Sequence, residues 1–245
     1  MHYLVIDIET SPVAWDYFDD TQQEYLLRGA TTDEEQEKKK NEMALSPFTG
    51  HVVCISLIHF VQTDDGFNEE KRVTLMRNTD DSEELVKETL PSGAVMVRRS
   101  ERAMLDDFWK YLAKVHDANR RVHYVTFNGR GFDFPFLMLR SAALGIRPRV
   151  NLMSGSRWNY RAEHTDLLDE LCYQYPQQTG ATRRFNFDFY TKAFGIRSPK
   201  ADGVDGSKVA QLYAEGEYAT IAEYCLRDVD ATWQLYQRWA DLLWF

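Results

Sequence analysis

A hydrophobic stretch that ends in two acidic residues constrains the fold of this chain more than any other feature. Residues 3–10 are Tyr-Leu-Val-Ile-Asp-Ile-Glu-Thr, and this near-continuous apolar run is typical of a central β-strand. Because side chains alternate along a strand, Asp7 and Glu9 are expected on the same face. Two adjacent carboxylates beside a core repel each other unless a cation neutralises them. The stretch favours a divalent-metal site, although a strand that runs out into solvent explains the acids equally well.

Length and composition permit a substantial hydrophobic core. The chain has 245 residues, of which 44% are hydrophobic and 27% charged, as in ordinary globular proteins. No repeat, low-complexity segment or clear linker is evident, so a single domain over residues 1–245 is the simplest prediction. The apolar runs are too short to span a membrane, and the N-terminus carries acids where a signal peptide has bases. We therefore predict a cytoplasmic protein without membrane association.

The three cysteines give no sign of a zinc site. Cys54, Cys172 and Cys225 are far apart, and neither a CxxC pair nor a Cys/His cluster accompanies them. Each is predicted to be a small buried residue in a reducing compartment.

Hydrophobic periodicity predicts alternating strands and helices after the first strand. A charged insertion at 13–45 comes first and contains an exposed helix at 33–40. The other predicted elements, in chain order, are a hairpin of strands at 51–61 and 72–76, a helix capped by Ser100, strands at 121–127 and 164–168, and helices at 186–194, 207–214 and 218–243.

Asp133 occupies a position where ligands commonly bind in α/β proteins. The predicted strand at 121–127 is followed by Asn-Gly-Arg-Gly-Phe-Asp-Phe-Pro, in which the glycines allow a tight turn. Pro135 fits the first turn of a helix that runs to residue 144. Asp133 therefore lies between a strand end and a helix N-terminus, where open α/β sheets place their ligands. Taken alone, a helix cap also explains it.

The last predicted helix contributes a tyrosine and a further carboxylate. Tyr224 and Asp228 are four residues apart and share one face of the helix. An aspartate on the apolar side of a helix is costly to bury unless it is paired or binds a metal. With Asp7, Glu9 and Asp133, it makes four carboxylates from three separate elements. Such hard oxygen ligands select Mg²⁺ or Mn²⁺ rather than zinc.

Three motifs in this order resemble those of the DEDD superfamily of 3'-to-5' exonucleases. They are Asp-Ile-Glu at 7–9, Asn-x-x-x-Phe-Asp-x-Pro at 128–135 and Tyr-x-x-x-Asp at 224–228. The spacing of the third motif is that of the tyrosine subgroup, and Glu223 stands where the histidine subgroup has histidine. The chain is most similar to the exonuclease domain of family B DNA polymerases and to stand-alone bacterial proteins built like it.

This resemblance implies the fold, the cofactors and the reaction. It implies an α/β, RNase H-like fold whose mixed five-stranded sheet is flanked by helices. It also implies two divalent ions, Mg²⁺ or Mn²⁺, bridged by Asp7 and completed by Glu9, Asp133 and Asp228, with Tyr224 holding the attacking water. Two ions about 4 Å apart can activate a water and stabilise the leaving oxygen. The expected activity is removal of nucleoside 5'-monophosphates from the 3' end of a single strand, with DNA favoured over RNA.

A basic segment is the candidate for the substrate strand. Residues 140–200 contain ten Lys/Arg residues against five Asp/Glu residues, in a chain of net charge −9. The basic residues are Arg140, Arg147, Arg149, Arg157, Arg161, Arg183, Arg184, Lys192, Arg197 and Lys200. The interleaved aromatic residues are Trp158, Tyr160, Tyr173, Tyr175 and Phe185. Cations and stacking aromatic rings hold single strands without sequence preference, although ordinary surface arginines have the same pattern.

Named substrate contacts are Arg183 and Arg184 within this segment, together with Thr10, Asn128 and Phe132 beside the carboxylates. For Phe132 a core role is an equal alternative. For Asp166, which is acidic and close to the motifs, a simple strand end is favoured over a role beside the site. For Glu223 a solvated helix position is favoured over a supporting role.

Other classes of function remain open from the residues. A 3'-to-5' exoribonuclease would use the same site. An aspartyl phosphotransferase is suggested by Asp-x-Glu-Thr at 7–10, but Glu9 is the wrong general acid for it and a lysine-bearing motif is needed. A nucleic-acid-binding scaffold with a retired site is disfavoured because all four carboxylates and Tyr224 are present.

Overall fold

The computed structural model describes residues 1–119, 121–155, 163–199, 203 and 206–244. In these ranges the strands, in chain order, are β1 (His2–Pro12), β2 (Gly50–Thr63), β3 (Gly66–Arg77), β4 (Val86–Thr89), β5 (Val95–Arg99), β6 (Val122–Thr126) and β7 (His164–Asp166). The α-helices are α1 (Asp20–Leu26), α2 (Asp33–Glu42), α3 (Glu101–Ala118), α4 (Asp133–Ala143), α5 (Leu167–Leu171), α6 (Phe187–Ala193), α7 (Val209–Ala214) and α8 (Tyr218–Leu243). Short 3-10 turns lie at Trp15–Tyr17, Met43–Leu45 and Gly206–Lys208.

The strands form one mixed sheet with β1 near its middle. The order across the sheet is β4-β5-β3-β2-β1-β6-β7. β1 pairs antiparallel with β2 and parallel with β6, and β6 pairs parallel with β7. The carboxyl ends of β1, β6 and β7 therefore meet at the same edge of the sheet, and this edge carries the candidate site.

The α/β, RNase H-like fold is confirmed, but within the described residues the sheet has seven strands where five were expected. The two additional strands, β4 and β5, extend the sheet beyond β3. They have four and five residues, too few for a clear periodic signal. Long-range contacts stabilise these strands: β5 pairs with β3, and Met96 of β5 is fully buried beneath α7 and α8.

Helices cover both faces of the sheet. Leu4, Ile6 and Ile8 of β1 pack against α3 and α4 on one face. Tyr3 and Val5 point to the other face, where α5, α6 and α8 cover them. The alternation in β1 thus separates two layers of core, and burying such side chains contributes about 25 cal/mol per Å² of apolar surface.

The helix predictions hold where a cap or a long apolar stripe supports them. α3 is capped by Ser100, whose hydroxyl accepts the N–H of Ala103, and α8 covers the range predicted for it. α2 lies within the charged insertion, without a buried residue, and Thr32 and Glu35 form its capping box. The insertion also contains the unpredicted α1.

Two expectations about the chain as a whole can be compared with the structure. All three cysteines are buried and free, as expected. Within the described ranges, no helix combines the length and the hydropathy needed to span a bilayer.

Candidate active site

The end of β1 places two carboxylates over α8. Tyr3 and Val5 face α8, and the same alternation continues to Asp7 and Glu9. A bulge between Glu9 and Thr10 interrupts the pairing with β2 immediately afterwards. Bulges re-aim side chains at the ends of strands. The Thr10 hydroxyl turns to the insertion and donates to the backbone oxygen of Ala44, at 2.8 Å.

α8 presents three polar side chains to these carboxylates from one face. Tyr224 is buried and its hydroxyl forms a side-chain hydrogen bond with Asp228, one turn later. The sulfur of Cys225 lies 3.5 Å from Oδ2 of Asp7. One ligand atom each from Asp7, Glu9 and Cys225 fall within 4.8 Å of one another. The first and third motifs therefore meet across the contact between β1 and α8.

Asp133 joins the cluster from the opposite layer. It is the first residue of α4 and only 4% exposed. Its Oδ1 accepts the backbone N–H of Ile8, at 3.1 Å, so the carboxylate is hydrogen-bonded to β1 at the residue between Asp7 and Glu9. A carboxylate at a helix N-terminus is also stabilised by the helix dipole. The position thus serves as helix start and as part of the acidic cluster at once.

Burial and the nearby negative charges raise the pKa values of Asp7, Glu9, Asp133 and Tyr224. Burial, and then the charges of Asp133 and Asp228, raises the pKa of Asp7 well above its ordinary value. Burial and then Asp228 do the same to the pKa of Glu9.

The other two perturbed groups belong to the helices. Burial raises the pKa of Asp133 to about 7, although backbone N–H groups donate to it. Burial, and then the charge of Asp228, raises the pKa of Tyr224 above its ordinary value, at which the hydroxyl is already protonated at neutral pH. The cluster therefore favours positive charge from outside, either protons or metal ions.

A cavity of about 190 Å³ opens onto the cluster. Asp7, Glu9, Tyr224 and Asp228 contribute to its wall, and Asp133 is set back behind them. The rest of the wall is formed by Ile8, Phe127, Phe187, Asp188, Pro199 and Thr232. A wider groove of about 850 Å³ shares Ile8 and Glu9 with the cavity and continues along Thr10 and Phe132 to α2.

The turn before α4 is fixed by Asp166, at the end of β7. The backbone N–H groups of Asn128, Arg130 and Leu168 all donate to its carboxylate, at 2.8, 2.9 and 3.1 Å. Asn128 has a positive φ of 64°, a conformation that most residues avoid. Sequence alone favours a plain strand end at Asp166. In the structure, its carboxylate instead holds the turn that positions Asp133.

Gly129 in the same turn leaves no room for a side chain. A Cβ at this position would lie 2.3 Å from the Thr126 hydroxyl oxygen. That hydroxyl accepts the Gly129 N–H. The glycine is therefore required by the close approach of the turn to β6, and not only by flexibility.

The predicted substrate contacts are only partly gathered at the site. Thr10 and Phe132 border the wide groove, and Phe132 also packs against Phe136, with ring centroids 5.5 Å apart. Asn128 lies in the turn behind Asp133. Arg183 and Arg184 are exposed in the loop before α6.

The predicted basic strip is not one surface. Arg140 pairs with Glu101 through two hydrogen bonds of 2.9 and 2.7 Å, and both side chains are largely buried. The prediction that Arg140 belongs to a strand channel was therefore wrong, because its guanidinium is buried in an ion pair with Glu101. Arg147 and Arg149 line a different cavity beside α3. Arg157, Trp158, Tyr160, Arg161 and Lys200 lie outside the described residues.

Other side chains near the site were not singled out by the sequence. Cys225 was predicted only as a buried apolar residue, although its place next to Tyr224 already puts it at the same helix turn. Phe127 and Phe187 flank the cavity and contact one another with tilted rings, whose centroids are 4.7 Å apart. Glu223, by contrast, points elsewhere and accepts the N–H of Ser92 between β4 and β5.

Fold and site together define a class: an RNase H-like domain with a carboxylate-lined cavity at the end of its central strand. Residues 50–242 match the family described as "Predicted 3'-5' exonuclease related to the exonuclease domain of PolB". The chain belongs to this family. The match contains Asp133, Tyr224 and Asp228 and begins after β1, so Asp7 and Glu9 lie outside it.

Two comparisons with individual proteins agree with this assignment. The chain is 24% identical over 189 residues to the catalytic polypeptide of DNA polymerase epsilon from Emericella nidulans, covering 76% of this chain and 8% of that protein. Its structure resembles that of the family B DNA polymerase from Pyrobaculum calidifontis, with a TM-score of 0.53 and 20% identity. That likeness, which is one of fold, covers 97% of this chain and 24% of the polymerase.

Proposed function

We propose that this protein is a metal-dependent 3'-to-5' exonuclease that releases nucleoside 5'-monophosphates from single-stranded nucleic acid, preferentially DNA. One observation carries the proposal. Folding brings Asp7, Glu9 and Asp228, with the Tyr224 hydroxyl, into one cavity. Asp133 lies behind this cavity, where its carboxylate accepts a hydrogen bond from the backbone N–H of Ile8. The family assignment supports the same reaction class.

The donor set fits divalent ions of the Mg²⁺ type. Four carboxylates supply hard oxygen ligands, and the raised pKa values of Asp7, Glu9 and Asp133 indicate that the fold leaves the cluster short of positive charge. We assign Asp7, Glu9, Asp133 and Asp228 as the residues that hold two such ions, Mg²⁺ or Mn²⁺. When bound, the ions would supply a nucleophilic hydroxide and neutralise charge on the reacting phosphate.

Tyr224 is assigned the task of orienting the attacking water. A phenol is protonated at neutral pH even at its ordinary pKa. The pKa of Tyr224 is raised further, and its O–H is hydrogen-bonded with Asp228. If that O–H donates to the carboxylate, the phenol oxygen retains lone pairs that accept a hydrogen bond from water. This arrangement holds the water in the cavity without requiring Tyr224 to ionise.

The wide groove is the proposed place of the terminal base and sugar, because its charged lining, with Glu9, Glu34, Glu37 and Glu42 against Lys38, does not favour phosphates. It shares Glu9 with the cavity, and Thr10 and Phe132 border it. The ring of Phe132 is half-buried and offers an apolar surface on which a base or sugar can pack. Asn128 has a supporting position in the turn, whereas Arg183 and Arg184 remain candidates for contacts with phosphates further along.

DNA is favoured because the relatives named above are DNA polymerases. RNA is the alternative, since discrimination rests on contacts with the 2'-hydroxyl. Both substrates therefore belong in the test.

The test uses single-stranded DNA and RNA labelled at the 5' end, with Mg²⁺, Mn²⁺ or EDTA. We expect a ladder of products shortened one nucleotide at a time, and 5'-monophosphates as the released species. Asp7→Asn and Tyr224→Phe should lose activity while remaining folded. Asp241→Asn is the matched control, because Asp241 is an exposed acid near the end of α8.

The outcomes separate the proposal from its rivals. Internal cuts, or activity that survives in EDTA, would contradict it. Strand binding without cleavage in either metal would favour a scaffold with a retired site.

A further inference from the structure

A second cavity, of about 790 Å³, lies between α3 and the segment that follows α4. We call it the basic cavity, and its charged lining residues are Glu83, Arg99, Arg102, Asp106, Lys110, Arg147 and Arg149. α4 separates it from the carboxylate cluster. Asp133 begins this helix and Gly145 follows its end, and eleven residues at 1.5 Å each make the helix roughly 16 Å long.

The fold builds the basic cavity from one helix face and one tight turn. Arg102, Asp106 and Lys110 recur every four residues along α3, on the side away from its buried stripe. Gly145, with a φ of 69°, ends α4 and turns the chain back toward α3. The segment after it brings Arg147 and Arg149 to the opposite wall.

The charges of the lining are unbalanced. Five arginines and lysines face two carboxylates, in a chain whose overall charge is −9. Asp106 accepts from both Lys110, at 2.6 Å, and Arg149, at 3.3 Å, so one acid serves two cations. Arg99 is paired with Asp107, at 2.8 Å, and its charge is therefore already balanced.

Two arginines of this lining, Arg102 and Arg147, have no acidic partner among the residues that the structure describes. Arg102 donates to the backbone oxygen of Leu144, a neutral group that caps the end of α4. Arg147 is exposed. A guanidinium matches the geometry of a phosphate through paired N–H donors. The volume is far larger than one phosphate requires and falls within the range of small-ligand sites.

We propose that the basic cavity binds the phosphate groups of an anion of nucleotide size. Two sources offer this chemistry: a free nucleotide, and a segment of nucleic-acid strand whose end lies elsewhere. The proposal does not rest on the nuclease assignment, because binding here does not require the carboxylate cluster to hold metal.

The test measures binding to the whole protein in EDTA, where the proposed nuclease reaction cannot proceed. The probes are inorganic pyrophosphate, a nucleoside 5'-monophosphate and single-stranded oligonucleotides of increasing length. Wild type is compared with Arg102→Gln/Arg147→Gln and with Arg147→Gln alone, in which no internal hydrogen bond is lost among the described residues. Lys87→Gln/Arg238→Gln removes the same charge from β4 and α8 and is the control.

The double cavity variant should bind at least one probe about tenfold more weakly than wild type, which corresponds to about 1.4 kcal/mol. Arg147→Gln should show part of that loss, and the control should keep wild-type affinity. If only oligonucleotides are affected, the slope of log affinity against log salt should shrink by about 1.4, and the strand is the ligand. If the small probes are affected, the ligand is a free nucleotide. Equal binding of all probes by the cavity variants and the control would overturn the proposal.

Discussion

The sulfur of Cys225 lies 3.5 Å from Oδ2 of Asp7 and also 3.5 Å from the backbone oxygen of Asp7. A thiol therefore contacts one of the carboxylates that we assign to the metal site. Glu9 completes a group whose ligand atoms lie within 4.8 Å of one another. This group mixes hard oxygen with soft sulfur.

A soft metal ion should bind this group through its sulfur. We expect Cd²⁺ to bind the protein with thiolate coordination, because thiolates prefer soft ions whereas carboxylates suit Mg²⁺ and Mn²⁺. Cys225→Ser should weaken Cd²⁺ binding about tenfold, or about 1.4 kcal/mol, and leave Mn²⁺ binding nearly unchanged. Calorimetry measures the affinity for each ion, and the thiolate-to-cadmium absorbance reports coordination by sulfur. Cys172→Ser, at a buried cysteine beside Tyr190, is the control and should keep wild-type behaviour.

The metal-free protein should lose stability as the pH rises toward neutrality. Burial raises the pKa of Asp133 from its ordinary 3.8 to about 7. The folded protein then holds a proton that the unfolded chain has released, so the free energy of unfolding falls between about pH 4 and pH 7. The loss from this group is about 4 kcal/mol at most.

Thermal unfolding across this range, with and without Mn²⁺, checks the effect. Added metal should raise the melting temperature more at pH 8 than at pH 5, because metal and protons compete for the carboxylates. Asp133→Asn should flatten the pH dependence. A metal effect that is independent of pH would be inconsistent with ions bound by these groups.

Asp166 should act through the position of Asp133. Asp166→Asn replaces one carboxylate oxygen by an N–H₂ group, so either the N–H of Arg130 or the N–H groups of Asn128 and Leu168 lose their acceptor. We expect a stability loss of about 1–3 kcal/mol from the unsatisfied N–H groups. Mn²⁺ affinity should fall as well, although Asp166 is assigned no metal.

Asp117→Asn, an exposed change at the end of α3, is the control for this experiment. A loss of stability with wild-type Mn²⁺ affinity would mean that Asp166 supports the fold alone.

Arg140 should behave differently from the exposed arginines of the loop before α6. Arg140→Ala leaves Glu101 buried without its cation, and such changes cost about 3–5 kcal/mol. Arg183→Ala/Arg184→Ala should leave the melting temperature nearly unchanged and reduce the salt dependence of single-strand binding. Denaturation and binding titrations on wild type and these two variants separate the two effects. Unchanged salt dependence in the double variant would remove these arginines from the strand path.

Local signals in the sequence were sufficient for much of the fold. Ser100 predicts the start of α3, and the long apolar side of α8 predicts the length of α8. Strand β4, which is exposed along most of its four residues, has no such signal, and neither does β5. Their pairing depends on β3 and on burial of Met96, which are long-range effects.

The candidate site shows the same division. Asp7, Glu9, Asp133 and Asp228 stood out because carboxylates at apolar positions demand an explanation. Tyr224 stood out because it lies one helix turn before Asp228. Asp166 did not, because its role depends on the approach of β7 to the turn at Asn128.

The basic segment failed as a single strip for a related reason. Net charge along the sequence does not show which arginine has a partner across the fold, and Arg140 has one in Glu101.

The most direct test of the account is the binding of Mn²⁺ to the purified protein, followed by calorimetry near neutral pH. Wild type and Asp241→Asn should bind a pair of ions, and Asp7→Asn should lose that binding while melting no lower than wild type without metal, because the change removes one repelling carboxylate. Failure of wild type to bind Mn²⁺, or binding by Asp7→Asn equal to wild type, would contradict the claim that these carboxylates form a divalent-metal site.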